Sequence, residues 1–296
     1  MNDTSMGYKI FRVFNVILFL FIAVITLYPF LNVLALSLND AKDSMAGGIT
    51  IFPRVFTLEN FKAVLSAKSI STAFVVSVLR VLIGVAVGIF IQFSAAYVLT
   101  QRDLPGRKIL LYFLTVPMFI TGGIIANYLL YSKIGMINSF WVYILPTSFS
   151  FYNMVIMRTY IVTIPESLKE SSRIDGASEF RILVQIIMPL SKPIIATIAL
   201  WIAVYHWNDY STTLYYITQS KLFTVQYNLM QMVKDGEKIA ELVQKSAETG
   251  GEVKVTTTPE ALKAAQIMVT TLPIVCVYPF LQKYFVKGVM IGSVKE

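Results

Sequence analysis

The chain has 296 residues, 56% of them hydrophobic and 14% charged, with a formal net charge of +8. Its mean hydropathy is +0.66, whereas a water-soluble domain of this length carries nearer a quarter charged residues, so a soluble globular fold is excluded. A single cysteine, Cys276, and a single histidine rule out an intramolecular disulfide and a Cys/His metal cluster.

The apolar residues come in blocks. A membrane helix needs about 20 mostly apolar residues to cross ~30 Å of hydrocarbon, and six blocks meet that length, at 11–36, 72–99, 109–131, 140–162, 193–216 and 264–286. The expected fold is all-α: a polytopic membrane protein with six transmembrane helices in one membrane domain spanning 1–296.

In chain order, the first block is too long for a cleaved signal peptide and no small-residue cleavage site follows it, so it reads as a retained anchor. Pro29 should kink it. Segment 37–70 is polar, and its end, FTLENFKAVLS, has helical spacing at Phe61, Val64 and Leu65 that suits a helix on the membrane surface. The second block is interrupted by Arg80, which either snorkels to an interface or lines a cavity. The tight loop 101–108 turns at Pro105-Gly106 and carries three Lys/Arg, while the short loop 132–139 on the other side holds only Lys133. Positive charge concentrates in cytoplasmic loops, so both termini are expected inside. This placement also argues against nucleic acid as the reason for the basic balance.

Two apolar blocks carry polar residues that lipid would penalise. Asn127 lies in the third, as a cavity-facing or helix-bonded residue. The fifth carries His206-Trp207-Asn208-Asp209-Tyr210, in which Trp207 and Tyr210 also suit an interfacial aromatic belt. Stacking faces and hydrogen-bonding side chains suit a sugar, so Arg80, Asn127, His206, Trp207, Asn208 and Asp209 are candidate substrate-pathway residues. The long loop 217–262 places Ile239, Leu242 and Val243 on one face of a short helix, and the chain ends in a basic tail.

Between the fourth and fifth blocks lies ESLKESSRIDGASEFRILVQIIMP, residues 166–189. Thr163 reads as an N-cap, with Glu166 at the capping-box position and Pro165 in the first turn. The helix should run to Asp175 and end at Gly176 in the left-handed conformation. Ser178 then caps a second helix whose apolar face is Phe180, Leu183, Ile186 and Ile187, and Pro189 and Pro193 mark the return to the membrane. Small Ser171 and Ser172 allow another surface to approach closely. The chain has no GxxxxGK[ST] and no GxSxG, so it holds no phosphate loop or nucleophile elbow of its own.

The pattern Glu170-Ser171-Ser172, Gly176 and Ile186-Ile187-Met188-Pro189 resembles the cytoplasmic loop motif of permease subunits in bacterial ABC importers. That motif commonly has Ala-Ala after the Glu and Leu before the Pro. The flanking IPESLKESSRIDGAS, PLSKPIIATIAL and YFVKGVMIGSVKE look like the carbohydrate-uptake branch. The chain is similar end to end to the second permease subunit of maltose and multiple-sugar systems, closest to those taking up oligosaccharides from polysaccharides.

The resemblance implies a role for loop 163–192 as a cytoplasmic coupling element. Its ATPase-coupling residues would be Glu170, Ser171, Ser172, Asp175, Gly176, Ala177, Ile186 and Pro189. It implies a second permease subunit, two ATPase subunits that use ATP and Mg, an external solute-binding protein and a carbohydrate substrate. The setting would be the bacterial cytoplasmic membrane, and this chain would hold no cofactor or metal. Two rivals come from other classes. An ion-coupled secondary transporter calls for intramembrane carboxylates or inverted repeats, yet Asp209 is the only carboxylate near a span and no repeat is visible. A non-transporting membrane scaffold leaves the loop motif unexplained.

Overall fold

The computed structural model describes residues 6–66, 68–120, 122–234 and 258–293. Its helices are, in chain order, α1 (Met6–Ser37), α2 (Ala41–Met45), α3 (Glu59–Ser66), α4 (Lys68–Val98), α5 (Arg107–Phe119), α6 (Gly123–Lys133) and α7 (Phe151–Val162). They continue with α8 (Glu166–Ile174), α9 (Glu179–Leu190), α10 (Lys192–Asn208), α11 (Ser211–Tyr216), α12 (residues 225–234) and α13 (Pro259–Ser293). Among the described residues there is no strand, only an isolated bridge between Asn39 and Phe56. The expected helix at Ile239, Leu242 and Val243 and the last residues of the basic tail lie outside the described residues.

The blocks are less regular than their hydropathy suggests. Two single helices, Met6–Ser37 and Ser69–Val98, are long and apolar enough to cross a bilayer, and three bent pairs bring the number to as many as five. The first helix runs unbroken through Pro29. The third block is α5 and α6, which meet at 113° around a Gly123 with φ +74°. The fourth begins as two 3₁₀ turns, Phe140–Tyr143 and Leu145–Thr147, and then bends by 51° into α7. Pro146 sits in the second turn, and Ser150 restarts the helix by accepting the Asn153 amide at 3.4 Å. The fifth block stops at Asn208: Asp209 is extended, and α11 starts two residues on. Upstream, α9 and α10 meet at 85°. The last block falls within α13, which is 35 residues long.

The described residues form two compact units, one within Met1–Ile70 and Leu229–Leu272, the other within Ser71–Asn228 and Pro273–Glu296. In the first, α1 leaves its apolar side chains exposed all round. That is the condition of a helix in lipid or against another chain rather than in its own core. The following segment is organised by Asn39, which is fully buried. Its Oδ1 accepts the Arg54 and Val55 amides at 2.8 and 2.9 Å, and its Nδ2 donates to Asp43 Oδ2 and Ser44 Oγ at 2.9 Å. Asn60 Nδ2 donates to the Ser37 and Asn39 carbonyls at 3.1 and 2.8 Å, tying α3 back to the end of α1. The helix expected in FTLENFKAVLS forms as α3 and packs one stripe on protein. Its Val64 is buried with Ile70 and Ala265 and packs against Leu262 and Val269 of α13, while Leu65 faces out. One apolar stripe on a short helix finds a protein partner as readily as a bilayer.

The second unit has two cores. One joins Phe93, Ala96 and Tyr97 of α4 to Met154, Met157 and Ile161 of α7, to Ile182 and Ile187 of α9 and to Ile198 and Ile202 of α10. The other gathers Val76, Tyr143, Ile144, Tyr216 and Ile217. Replacing Asn39 by leucine removes the acceptor of the Arg54 and Val55 amides, while Asp43 and Ser44 keep their bonds to Arg54 and the Asp40 carbonyl. The expected loss is about 1–3 kcal/mol per unsatisfied buried group. Limited proteolysis of the purified protein should cut within 38–58 faster in Asn39→Leu, and equal cleavage rates would reject Asn39 as the organiser of this segment.

Candidate functional site

Residues 163–192 form two helices joined by a sharp bend. The sequence places the turn correctly: Gly176 has φ +79°, its amide donates to the Arg173 carbonyl at 3.0 Å, and the Ala177 amide donates to the Ser172 carbonyl at 2.9 Å. These bonds satisfy the last carbonyls of α8. Ser178 caps α9, its Oγ accepting the Arg181 amide at 3.3 Å. Two details differ. Thr163 is the C-cap of α7, with its Oγ1 donating to the Tyr160 carbonyl at 2.7 Å, and Pro165 precedes the first turn of α8. Phe180 is not part of the buried face; it is 64% exposed, whereas Leu183 and Ile187 are buried and Ile186 packs against them. Residues Leu183–Ile187 form a π-helical stretch before Pro189.

The surface of α8 is mixed. Glu170, Ser171, Asp175 and Gly176 are exposed and Ser172 and Ala177 are half-buried. Among them stands Ile174, 87% exposed, with Leu168 also open to solvent. The helix is held in place by residues that sequence reasoning did not single out. Arg173 Nε donates to Glu179 Oε1 at 2.8 Å, and its guanidinium also reaches Gln101 Oε1 at 3.0 Å. Tyr97 of α4 donates its hydroxyl to Glu179 Oε2 at 2.5 Å. The Arg173 hydrogen bond holds the Glu179 carboxyl below its ordinary range, against partial burial and with help from Tyr97. The same contact raises Arg173. The bend between α8 and α9 is thereby pinned to the end of α4.

The polar residues of the second and fifth blocks meet at the break between α10 and α11. Arg80 is 0% exposed, neither snorkelling nor open to a cavity. Its guanidinium pairs with Asp209 Oδ2, donates to the Asp209 carbonyl at 2.8 Å and to His206 Nδ1 at 3.3 Å. The Tyr143 ring lies over it, 4.5 Å from the guanidinium carbon to the ring centroid, a cation–π arrangement. Because His206 Nδ1 accepts a bond, the imidazole carries its proton on Nε2. That edge of the ring packs on Gly84, where an added Cβ would come within 2.2 Å of Nε2.

Asp209 also starts α11. Its Oδ1 accepts the Ser211 and Thr212 amides at 2.9 and 3.2 Å and the Ser211 hydroxyl at 2.6 Å, while Oδ2 accepts the Thr212 hydroxyl at 2.5 Å. Tyr143 extends the network: its hydroxyl donates to the Leu222 carbonyl at 2.8 Å and meets Thr213 Oγ1 at 2.9 Å. His206 is 2% exposed. Trp207 is buried edge-on against Phe74 and lines an apolar cavity of about 320 Å³ with Leu82, Ala203 and Pro273. Asn208 is exposed, donating to the Val204 carbonyl at 2.9 Å. Asn127 is half-buried on α6 and does not join this network. Tyr143 and the pair Gly84-x-x-x-Gly88 were missed. The glycines are legible as a small-xxx-small spacing that lets helices approach closely, and Gly88 sits against Ile202. Among the described residues no group of three or more His, Cys, Asp or Glu is placed to hold a metal ion.

Removing one partner of a buried ion pair leaves an uncompensated charge and costs about 3–5 kcal/mol. Arg80→Met or Asp209→Asn alone should therefore lower the thermal midpoint of the purified protein sharply. The double variant should lose less than the sum of the two, because no lone charge remains. Strictly additive losses would show that the pair is not the dominant interaction.

The family described as "Binding-protein-dependent transport system inner membrane component" matches residues 81–291, which includes α8, α9 and the Asp209 break. Protein LplC of Bacillus subtilis (strain 168) is 37% identical over 296 residues, covering 100% of this chain and 98% of that protein. The polygalacturonan/rhamnogalacturonan transport system permease protein YtcP of the same organism is 35% identical, covering 96% and 99%. A chain from the crystal structure of a bacterial ABC transporter involved in the import of the acidic polysaccharide alginate superposes with a TM-score of 0.86 at 24% identity, over 96% of this chain and 100% of that one; it supports the fold. With the family matched over most of its length, the chain belongs to the inner membrane components of binding-protein-dependent transport systems: it is a multi-pass permease subunit, and ATP hydrolysis belongs to a separate subunit.

Proposed function

We propose that the chain forms one half of the translocation pathway of an ATP-driven oligosaccharide importer and receives its driving force through residues 163–192. The permease names of its relatives, YtcP among them, support a carbohydrate cargo. In this reading the chain acts as one membrane domain of six spans, with both termini and the α8–α9 bend in the cytoplasm. It pairs with a second permease subunit. Two ATPase subunits, which bind ATP and Mg, dock on α8, and an external solute-binding protein delivers the sugar.

The observation that carries the coupling role is Ile174. A nearly fully exposed isoleucine at the tip of a charged helix, on a backbone pinned by Arg173, Glu179 and Tyr97, is an anchor for a protein partner. Apolar groups projecting from a rigid element contribute most to an interface when a pocket desolvates them. Phe180 is exposed nearby. Glu170, Ser171, Ser172, Asp175 and Ala177 would frame this anchor, while Ile186 and Pro189 set the return of α9 to the membrane.

For the cargo, burial separates the residues of the fifth block into two groups. Arg80 and His206 hold the helix break, and Trp207 is buried against Phe74. Asn208 remains available to hydrogen-bond a hydroxyl, and Tyr205 and Tyr210, both exposed, offer stacking faces. Asn127 is a further polar residue for the pathway.

Gly176 gives a direct test of coupling. No atom lies within 4 Å of an added Cβ there, so any penalty is backbone strain at positive φ. Asparagine tolerates that conformation and valine does not. The complex purified with Gly176→Val should lose co-purifying ATPase subunits and substrate-stimulated hydrolysis. Gly176→Asn should keep both, and Ile174→Asp should lose both with the permease pair still assembled. Full coupling in Gly176→Val and Ile174→Asp would reject the role of this bend. Alanine at Asn208, Tyr205 or Tyr210 should weaken uptake affinity, and unchanged uptake in all three would remove them from the pathway.

A further inference from the structure

Beside α8, at the ends of α4 and α7, lies a cavity of about 480 Å³ with a different character from the coupling surface. Four cations line it: Arg102, Arg107, Arg158 and Lys169, against one carboxylate, Glu166. Lys169 is 3% exposed, and its Nζ sits 3.1 Å from Glu166 Oε2. Glu166 is shared with Arg173, 4.0 Å away, so it does not balance the group. Asp103 stands beside Arg102 in the chain but is absent from the lining. Among the described residues no carboxylate lies within 4.0 Å of Arg102, Arg107 or Arg158.

The arginines are positioned as well as concentrated. Arg158 Nε donates to the Leu99 carbonyl at 3.0 Å, and Arg107 donates to the Gln101 carbonyl at 3.3 Å. Each bond fixes one edge of a guanidinium that has five N–H donors and leaves the others for a ligand. Fixed guanidinium forks match the oxygens of a phosphate group. The remaining wall is mixed, with the hydroxyl-bearing Thr100 and Thr163 beside an apolar strip of Val162, Ile164 and Pro165, and the cavity opens where two spanning segments end. That is the depth of lipid headgroups, and basic pockets between membrane helices on the cytoplasmic side bind anionic headgroups.

We propose that this cavity is a binding site for the phosphodiester of an anionic phospholipid of the inner leaflet. The proposal rests on the reading that α8 is cytoplasmic. Free phosphate would satisfy the same guanidinium groups, but the apolar strip of Val162, Ile164 and Pro165 and the mouth at the span ends favour a phosphate that carries acyl chains.

The test uses the assembled transporter in nanodiscs of mixed phosphatidylglycerol and phosphatidylcholine, with lipid retained after detergent extraction counted by native mass spectrometry. The double variant Arg102→Gln/Arg107→Gln should hold phosphatidylglycerol about fivefold more weakly per charge removed, on the order of twentyfold together, with phosphatidylcholine unaffected. Arg102→Lys/Arg107→Lys keeps the charge but loses the guanidinium forks and should recover only part of the retention, and the two single variants serve if the double variant does not assemble. Equal phosphatidylglycerol retention in the wild type and the variants would overturn the proposal. Complete displacement by inorganic phosphate in the wild type would assign the cavity to a free anion and overturn the lipid source. Loss of the ATPase subunits from Arg102→Gln/Arg107→Gln with lipid retention unchanged would make the cavity part of the docking surface, also against the proposal. Failure of the coupling reading is a separate result, read from Ile174→Asp and Gly176→Val, whose lipid retention should match the wild type.

Discussion

The second unit depends on one buried charge. Arg80 cannot be solvated where it sits, and an uncompensated guanidinium inside an apolar unit would cost several kcal/mol. Asp209 must therefore be beside it, and the backbone around Asp209 is shaped to bring it there. The helix stops at Asn208, Asp209 takes extended dihedrals, and the chain restarts at Ser211. The broken helix and the ion pair are a single solution. The break frees amides, the carboxylate accepts two of them, and its other oxygen meets Arg80. Tyr143 and His206 close the sides. Irregular backbone at membrane depth is tolerated only where protein or a cavity satisfies it, and here the protein does so.

The same constraint fixes helix spacing. For His206 to reach Arg80, α10 must lie close to α4, and Gly84 and Gly88 supply the room. A methyl group at Gly84 would occupy the space of the imidazole edge. The glycines matter here for what their missing side chains allow rather than for backbone freedom, since both lie inside a regular helix.

How much of this was legible depended on the distance over which the physics acts. Local rules carried far. The Gly176 turn, the Ser178 cap and the all-helical character follow from interactions within a few residues. Thr163 misled because a threonine can close one helix as easily as open the next. Only the following Pro165, which takes extended dihedrals before α8, settles which. Periodicity places Phe180 on one apolar face with Leu183, Ile186 and Ile187, and periodicity cannot tell a core from a surface kept for another protein. Nothing local links Arg80 to Asp209 across 129 positions, so Arg80 reads as a lone interruption of one span and Asp209 as a member of a separate polar cluster in another. The Asp-x-Ser-Thr run at 209–212 was the available signal for a helix restart, but the surrounding hydropathy masked it.

One helix joins the two polar centres. Arg80 and Tyr97 both belong to α4, which is continuous from Lys68 to Val98. At 1.5 Å per residue their separation along the axis is roughly 25 Å. Near its middle α4 holds the Asp209 break through Arg80; at its end it holds the α8–α9 bend through Tyr97 and Glu179. Gln101 adds Arg173 from the loop just beyond. An intact helix resists bending, and neither anchor can let go cheaply, since one is a buried ion pair and the other a network of charge-assisted hydrogen bonds. Under the proposed coupling role, a displacement applied at Ile174 reaches the Asp209 break with little loss. The exposed residues that flank the break then move with α4 rather than independently of it. On this view the substitutions most damaging to coupling need not touch the ATPase or the sugar: shortening Tyr97 or removing Glu179 would disconnect the strut at its Tyr97 end and leave both binding surfaces intact.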